Sequence, residues 1–449
     1  MIDFEGATSG GLNTQYLAGS SKDSAALAAA VADEIAARPF LTSSEVCRRF
    51  TISRQTLKDI YRIIRASSEA RAKFDSSPFL YLIKTIEFLS RDWPRTLQIV
   101  RGEHPRRPYD TLELFISGTC NVNCVFCYRR DRDYGDQRIL STAEFVSIVN
   151  EFADLGGTTL DVSGGLEPLL SPAIGSVLRT GLQRRLQINL YTIGNALHSA
   201  KLADVLPHLS KIRVSLNAHD RESYRQMMGV DQFDRVVANL RALIQTRANC
   251  GTAVKIGISY VVTPGNFGNI PNMVNVAMSL GVDFLDLRSA SAPAISNYTP
   301  CQRAELCEIL ATVRQGQAHF KYGRLKISIA DTFGIITSPE SEPLPQVEPD
   351  LVSVLVHYRV TVTPAGKVVP LNILGQPTHE DDRFVLGTVG ENKPLAPAIK
   401  QRTNIPLVPD LPDLLLPHDK TLILALAKLR DDLKFGIGPE EGPFAVHLQ

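Results

Sequence analysis

Three cysteines stand in the run Cys120-Asn-Val-Asn-Cys124-Val-Phe-Cys127, directly after the strand-like Leu112-Glu-Leu-Phe-Ile-Ser117. An iron–sulfur cube normally takes four thiolates. Three packed this closely, with no fourth within reach in sequence, leave one iron open to a substrate or cofactor. The plainer uses of such a triplet are a zinc knuckle or buried thiols. Structural zinc asks for four ligands, usually as two separated pairs, and no second pair follows in the chain. Cys47, Cys250, Cys301 and Cys307 lie far from the loop, and Cys301 and Cys307 fall in an amphipathic helical pattern where small apolar packing is the default.

With Phe126 directly before its last cysteine, the triplet closely resembles the signature of the radical S-adenosylmethionine (SAM) superfamily. The resemblance implies a 4Fe-4S cluster on Cys120, Cys124 and Cys127, with SAM chelating the open iron. One electron then cleaves the sulfonium to a 5′-deoxyadenosyl radical, chemistry that side chains cannot start unaided. It also implies an external electron donor of flavodoxin or ferredoxin type. Roughly forty residues on, Ser163-Gly164-Gly165-Leu-Glu167-Pro168 matches the superfamily's Gly-Gly-x-Glu-Pro turn, which places Ser163, Gly164, Gly165 and Glu167 at the methionyl group. Glycines there let backbone approach a cofactor. An ordinary strand-to-helix turn reads the same way, with Ser171-Pro172 as cap and first-turn proline.

Later strand ends continue the resemblance. Gln187–Thr192 leads into Ile193-Gly194-Asn195, similar to a Thr-Asn-Gly turn with Ile193 in place of asparagine. Ser215 and Asn217 follow the run Lys211-Ile-Arg-Val and are implied to face the SAM ribose or carboxylate, while Thr263 ends the β-rich run from Lys255 where adenine is expected. Asp283-Phe-Leu-Asp-Leu-Arg288 closes a sixth strand on an arginine suited to a carboxylate or an anionic substrate group. As plainer uses, Ser215 satisfies backbone and Arg288 forms a structural ion pair.

These strands alternate with helical patterns. Ser141-Thr-Ala-Glu144 is a capping box opening the first, and others are expected at 172–184, 197–206, 221–247, 267–280 and 301–316. Six strands alternating with six helices mean a parallel sheet with right-handed crossovers. The predicted fold is therefore α/β, a partial (β/α)6 TIM-type barrel with its site on the C-terminal face of the strands. At 449 residues the chain exceeds one such barrel. Residues 1–108 are expected as a helical N-terminal cap, 109–320 as the barrel core, and 321–449 as a small C-terminal α+β extension. In that extension 352–362 and 367–371 read as a hairpin, and 420–433 as a terminal helix. Leu371 stands where an auxiliary cluster would need a cysteine, and no cysteine follows Cys307.

A net charge of +1 carries no footprint for nucleic acid or membrane. No apolar run or basic-then-apolar leader suggests export, so a cytoplasmic location is expected, which also suits free thiols and an oxygen-labile cluster. Residues 41–58 have helix-turn-helix-like spacing, but the near-zero charge favours capping of the barrel or packing of a homodimer.

Taken together, residues 25–375 resemble the sugar lyases of the superfamily, which deaminate a TDP-amino-dideoxyhexose or dehydrate a paromamine-type aminoglycoside. The resemblance implies elimination from a sugar or aminoglycoside in antibiotic or other secondary metabolism. Tyr191, Tyr260, Arg288 and Tyr358 are the candidate catalytic residues, with Asn217, His357 and Arg359 also expected at the cavity. A dehydrogenase or epimerase acting on an aminocyclitol, sugar or peptide is the rival enzyme reading, and an iron–sulfur redox regulator the non-enzyme one. The regulator leaves the Gly164-Gly165 turn and the six βα units without a purpose.

Overall fold

Leu112, Leu114, Leu160, Val162, Ile188, Leu190, Ile212 and Val214 are fully buried and alternate with Glu113, Asp161, Asn189, Tyr191 and Arg213. A period of two is what a pleated strand with two different faces requires, and in the computed structural model each of these runs is a strand. The structure describes residues 21–38, 40–69, 85, 89–90, 92–101, 103, 110–127, 138–163, 165–197, 202–290, 297–319, 321–330, 358–370, 384–400, 417–438 and 440–442.

β1 (Thr111–Phe115), β2 (Thr159–Ser163), β3 (Gln187–Thr192), β4 (Lys211–Ser215), β5 (Lys255–Val262) and β6 (Phe284–Ser289) pair in parallel in chain order. This is the expected barrel of six βα units. The sheet also extends at both edges: β7 (Lys326–Ala330) joins β6 and β8 (Arg359–Val362) joins β1, both in parallel. The expected hairpin is β8 with antiparallel β9 (Lys367–Val369), closed by Gly366 at φ 87° and followed by β10 (Gly387–Thr388). Its outer parts, including His357 and Leu371, lie outside the described residues.

Local chemistry explains the helix ends. Ser141 and Glu144 close the predicted box, with the Ser141 N–H donating to the Glu144 carboxylate at 2.8 Å, and helix Thr142–Asp154 follows. The stretch expected as one helix over 221–247 is two, Arg221–Met228 and Phe233–Cys250, because Gly229 leaves the helix at φ 70°. The helix expected at 197–206 is, among the described residues, turns and the short 3-10 segment Leu206–His208; Pro207 lacks the N–H that a longer helix would need.

The chain forms two compact units, 102–423, which carries the sheet, and 1–101 with 424–449. In the second unit, helices Ser21–Ala37, Ser43–Phe50 and Arg54–Ala66 pack with the part of helix Pro417–Lys434 that follows residue 423. The Ser43 N–H donates to the Asp432 carboxylate at 2.7 Å, and the Lys428 ammonium donates to the Leu41 carbonyl at 2.6 Å. No helix among the described residues is long and apolar enough to cross a membrane.

Candidate active site

The cysteine loop leaves the end of β1 and is held by the loops after the next three strands. The Thr119 carbonyl accepts from the Glu167 N–H at 3.1 Å, and Asn121 accepts from the Asn195 amide at 2.8 Å. The Asn123 and Val125 N–H groups donate to the Met228 and Met227 carbonyls at 2.9 and 3.0 Å. These are orphan carbonyls at the end of helix Arg221–Met228, so the loop satisfies them as a cap would. Cys124 is buried, Cys127 half-buried and Cys120 exposed, while Phe126 is half-buried beside them. Burial, then the neighbouring Cys127 and Cys120, push the Cys124 thiol up to about 12. Its sulfur lies 3.7 Å from that of Met228.

Gly165 takes φ 71°, a conformation that favours glycine, and so turns the chain at the end of β2. Glu167 then points back into the protein. Its carboxylate accepts from the Thr192 hydroxyl at 2.5 Å, the Ile193 N–H at 2.8 Å and the Leu169 N–H at 3.0 Å. Burial nevertheless raises its carboxyl to about 7. Glu167 thus braces the turn against β3, and a part in holding SAM would be one of positioning. Asn217 and Thr263 are likewise occupied. The Asn217 carbonyl oxygen accepts from the Val261 N–H at 2.6 Å and its amide approaches Met228 sulfur at 3.5 Å, while Thr263 closes the turn with Asn266. Both are buried. Ser215, the last residue of β4, is half-buried on the inner side of the sheet, opposite Ser259. Gly164 lies outside the described residues.

The inner face of the strands is polar. Ser163 donates to Glu113 at 2.6 Å, and Arg359 pairs with Glu113 at 3.7 Å. Asp161 accepts from Asn189 at 2.7 Å and from the Tyr191 hydroxyl at 3.5 Å. The Arg213 guanidinium lies 4.2 Å from the Tyr191 ring centre and 3.9 Å from Asp286, which accepts from Ser328 at 2.5 Å. Burial and then Asp161 raise the Tyr191 phenol, so Tyr191 is a neutral hydrogen-bond donor at neutral pH. Arg288 has the same strand parity as Asp286, two residues nearer the C-terminal end of β6.

The same parity places two of the expected catalytic residues off the inner face. Tyr260 belongs with Ile256 and Ile258, which are fully buried on the helix side; its hydroxyl donates to the Asn266 carbonyl at 2.9 Å. Ser259, not Tyr260, faces inward. Tyr358 precedes β8 and is buried with the parity of Val360, at the end of the strands opposite the cysteine loop. Sequence reading missed Glu113, Asp161, Arg213 and Asp286; their signal was a charged residue at every second position of otherwise apolar strands. It also missed Met228 and Asn195, whose contacts with the cysteine loop depend on tertiary proximity.

The profile of the radical SAM superfamily matches residues 114–265, the span from β1 through the cysteine loop to the end of β5. The chain carries a radical SAM domain. The chain is 26% identical over 369 residues to dTDP-4-amino-4,6-dideoxy-D-glucose ammonia-lyase of Streptomyces venezuelae, covering 74% of this chain and 76% of that protein. Over 183 residues it is 27% identical to a probable GTP 3′,8-cyclase of Saccharolobus islandicus, covering 40% of this chain and 57% of the cyclase. Streptococcus suis SuiB bound to S-adenosylmethionine shares the fold, with a TM-score of 0.51 at 15% identity over 71% of this chain and 69% of SuiB.

The cofactors of a radical SAM domain are a 4Fe-4S cluster and SAM. The donor set fits the cluster. A cube takes each thiolate on a different iron, so three thiols from one short loop suit it. Cys127 lies close enough to both other cysteines to add to the burial that raises the Cys120 and Cys124 thiols. Cys120, Cys124 and Cys127 would hold the cluster, with the Gly165 turn and Ser215 toward SAM.

Proposed function

We propose that this radical SAM enzyme eliminates an amine or hydroxyl from an amino- or deoxy-sugar, or an aminoglycoside, in secondary metabolism. The similarity to the Streptomyces venezuelae ammonia-lyase along 74% of the chain carries this reading, and the inner face of the sheet supports it. When bound, the cluster and SAM supply a 5′-deoxyadenosyl radical that abstracts hydrogen from a carbinol carbon. The chain's own residues must orient a hydroxyl-rich substrate and take a proton from it. Glu113, Asp161 and Asp286 offer carboxylates to sugar hydroxyls or an ammonium group. Tyr191 donates from its phenol, and Arg213 holds that ring in place through the 4.2 Å contact. Arg288 suits an anionic group of the substrate. The site needs an electron donor, expected to be of flavodoxin or ferredoxin type.

The test is anaerobic incubation of reduced, cluster-loaded protein with SAM and candidate sugars carrying deuterium at the carbinol carbon. The expected product is a keto-sugar lighter by ammonia or water, with deuterium recovered in 5′-deoxyadenosine. A product only two hydrogens lighter, with every heteroatom retained, would make the enzyme a dehydrogenase.

A further inference from the structure

Helix Arg221–Met228 does more than receive the cysteine loop. Tyr224 lies four residues before Met228, so both project from one helix face, and that face meets Cys124 through the 3.7 Å contact of the two sulfurs. Tyr224 is fully buried, and its hydroxyl has no hydrogen-bond partner among the described residues. Leaving a buried hydroxyl without a partner costs free energy. A phenylalanine would avoid that cost and keep the edge contact with Phe233, whose ring centre is 6.0 Å away. The hydroxyl therefore needs another purpose. A phenol with an ordinary pKa of about 10 is a hydrogen-bond donor at neutral pH. Glu167 already accepts three hydrogen bonds. Along the same helix face the next feature is the Cys124 corner of the cluster site, reached through Met228.

We infer that Tyr224 donates its phenolic hydrogen bond to the sulfur of the iron–sulfur centre at its Cys124 corner and thereby sets how readily the cluster accepts an electron. A donor to cluster sulfur stabilises the more negative, reduced state and raises the reduction potential. Tyr224 is a tuning residue for the centre rather than one of its ligands. The inference rests on the cluster site and is independent of which substrate the enzyme uses.

The experiment is a potentiometric titration of the reconstituted cluster, followed by electron paramagnetic resonance, in wild type and Tyr224→Phe without substrate. Tyr224→Phe is expected to retain about four irons and to show a more negative midpoint. Proton hyperfine spectra should lose one exchangeable coupling relative to wild type. An unchanged midpoint and unchanged coupling in a fully loaded variant would overturn the inference. If Tyr224→Phe loses its iron, protein made with 3-fluorotyrosine decides. A stronger phenol donor should move the midpoint positive, and no movement would overturn the inference. Wild-type protein that takes up no cluster would sink the site itself, a different failure.

Discussion

Cys124 shows how burial and ligation oppose each other in the cysteine loop. Its thiol is pushed up to about 12, and iron binding must displace that proton. Replacing Cys120, Cys124 or Cys127 with Ala is expected to abolish the cluster's visible absorbance and most bound iron. Replacing Cys301 or Cys307, on helix Pro300–Ala318, should leave about four irons per chain in an iron assay. Glu167 offers a test by pH. Its folded carboxyl titrates at about 7 against an ordinary 4.5, so between those values the folded state holds a proton that the unfolded chain has lost. The group's contribution is most favourable below pH 4.5 and is lost as pH rises through 7. In iron-free protein, urea unfolding should show wild type losing up to about 3 kcal/mol relative to Glu167→Gln between pH 5 and pH 8. Parallel pH profiles of the two proteins would show that the carboxyl stays ionised on its three donors.

Gly229 and Gly251 separate two demands at the level of the element. Both end helices in the left-handed region, at φ 70° and 63°. A Cβ at Gly229 would lie 2.7 Å from the Asn123 carbonyl oxygen of the cysteine loop, while one at Gly251 meets nothing within 4 Å. Ala at either site should cost at least about 1 kcal/mol from backbone strain, measured by urea unfolding. Only Gly229→Ala should also lower iron retention. The capping box of helix Thr142–Asp154 was legible because its partners are three residues apart. The break at Gly229 was not, because what it accommodates arrives from β1.

Over the whole molecule, sequence-distant segments close the smaller unit. Lys428 and Asp432 form a buried ion pair at 3.0 Å, and Asp432 also accepts the Ser43 N–H across 389 positions of chain. Lys428→Ala leaves that carboxylate buried without its cation, and is expected to cost about 3–5 kcal/mol in the denaturant transition of this unit. A loss below about 1 kcal/mol would mean that water reaches Asp432 readily. The same long-range pairing explains why the terminal helix could not be assigned locally: its apolar spacing suits any helical partner.

Ligand spacing, glycine turns and caps are local chemistry, and the cysteine triplet, the Gly-Gly-x-Glu-Pro turn and the six βα units could therefore be read from the sequence by itself. Which of two alternating faces lines the interior is decided by register, and a shift of one residue exchanges them. β5 is buried along nearly its whole length, so its pattern could not tell Ser259 from Tyr260. Only the folded sheet, pairing Ser259 with Asp286 and Tyr260 with Leu287, settled it. The polar atoms of Glu167, Asn217 and Thr263 could be recognised as polar from sequence. That other elements already occupy them is a property of the tertiary structure, because a hydrogen bond is fixed by where its partner comes to lie.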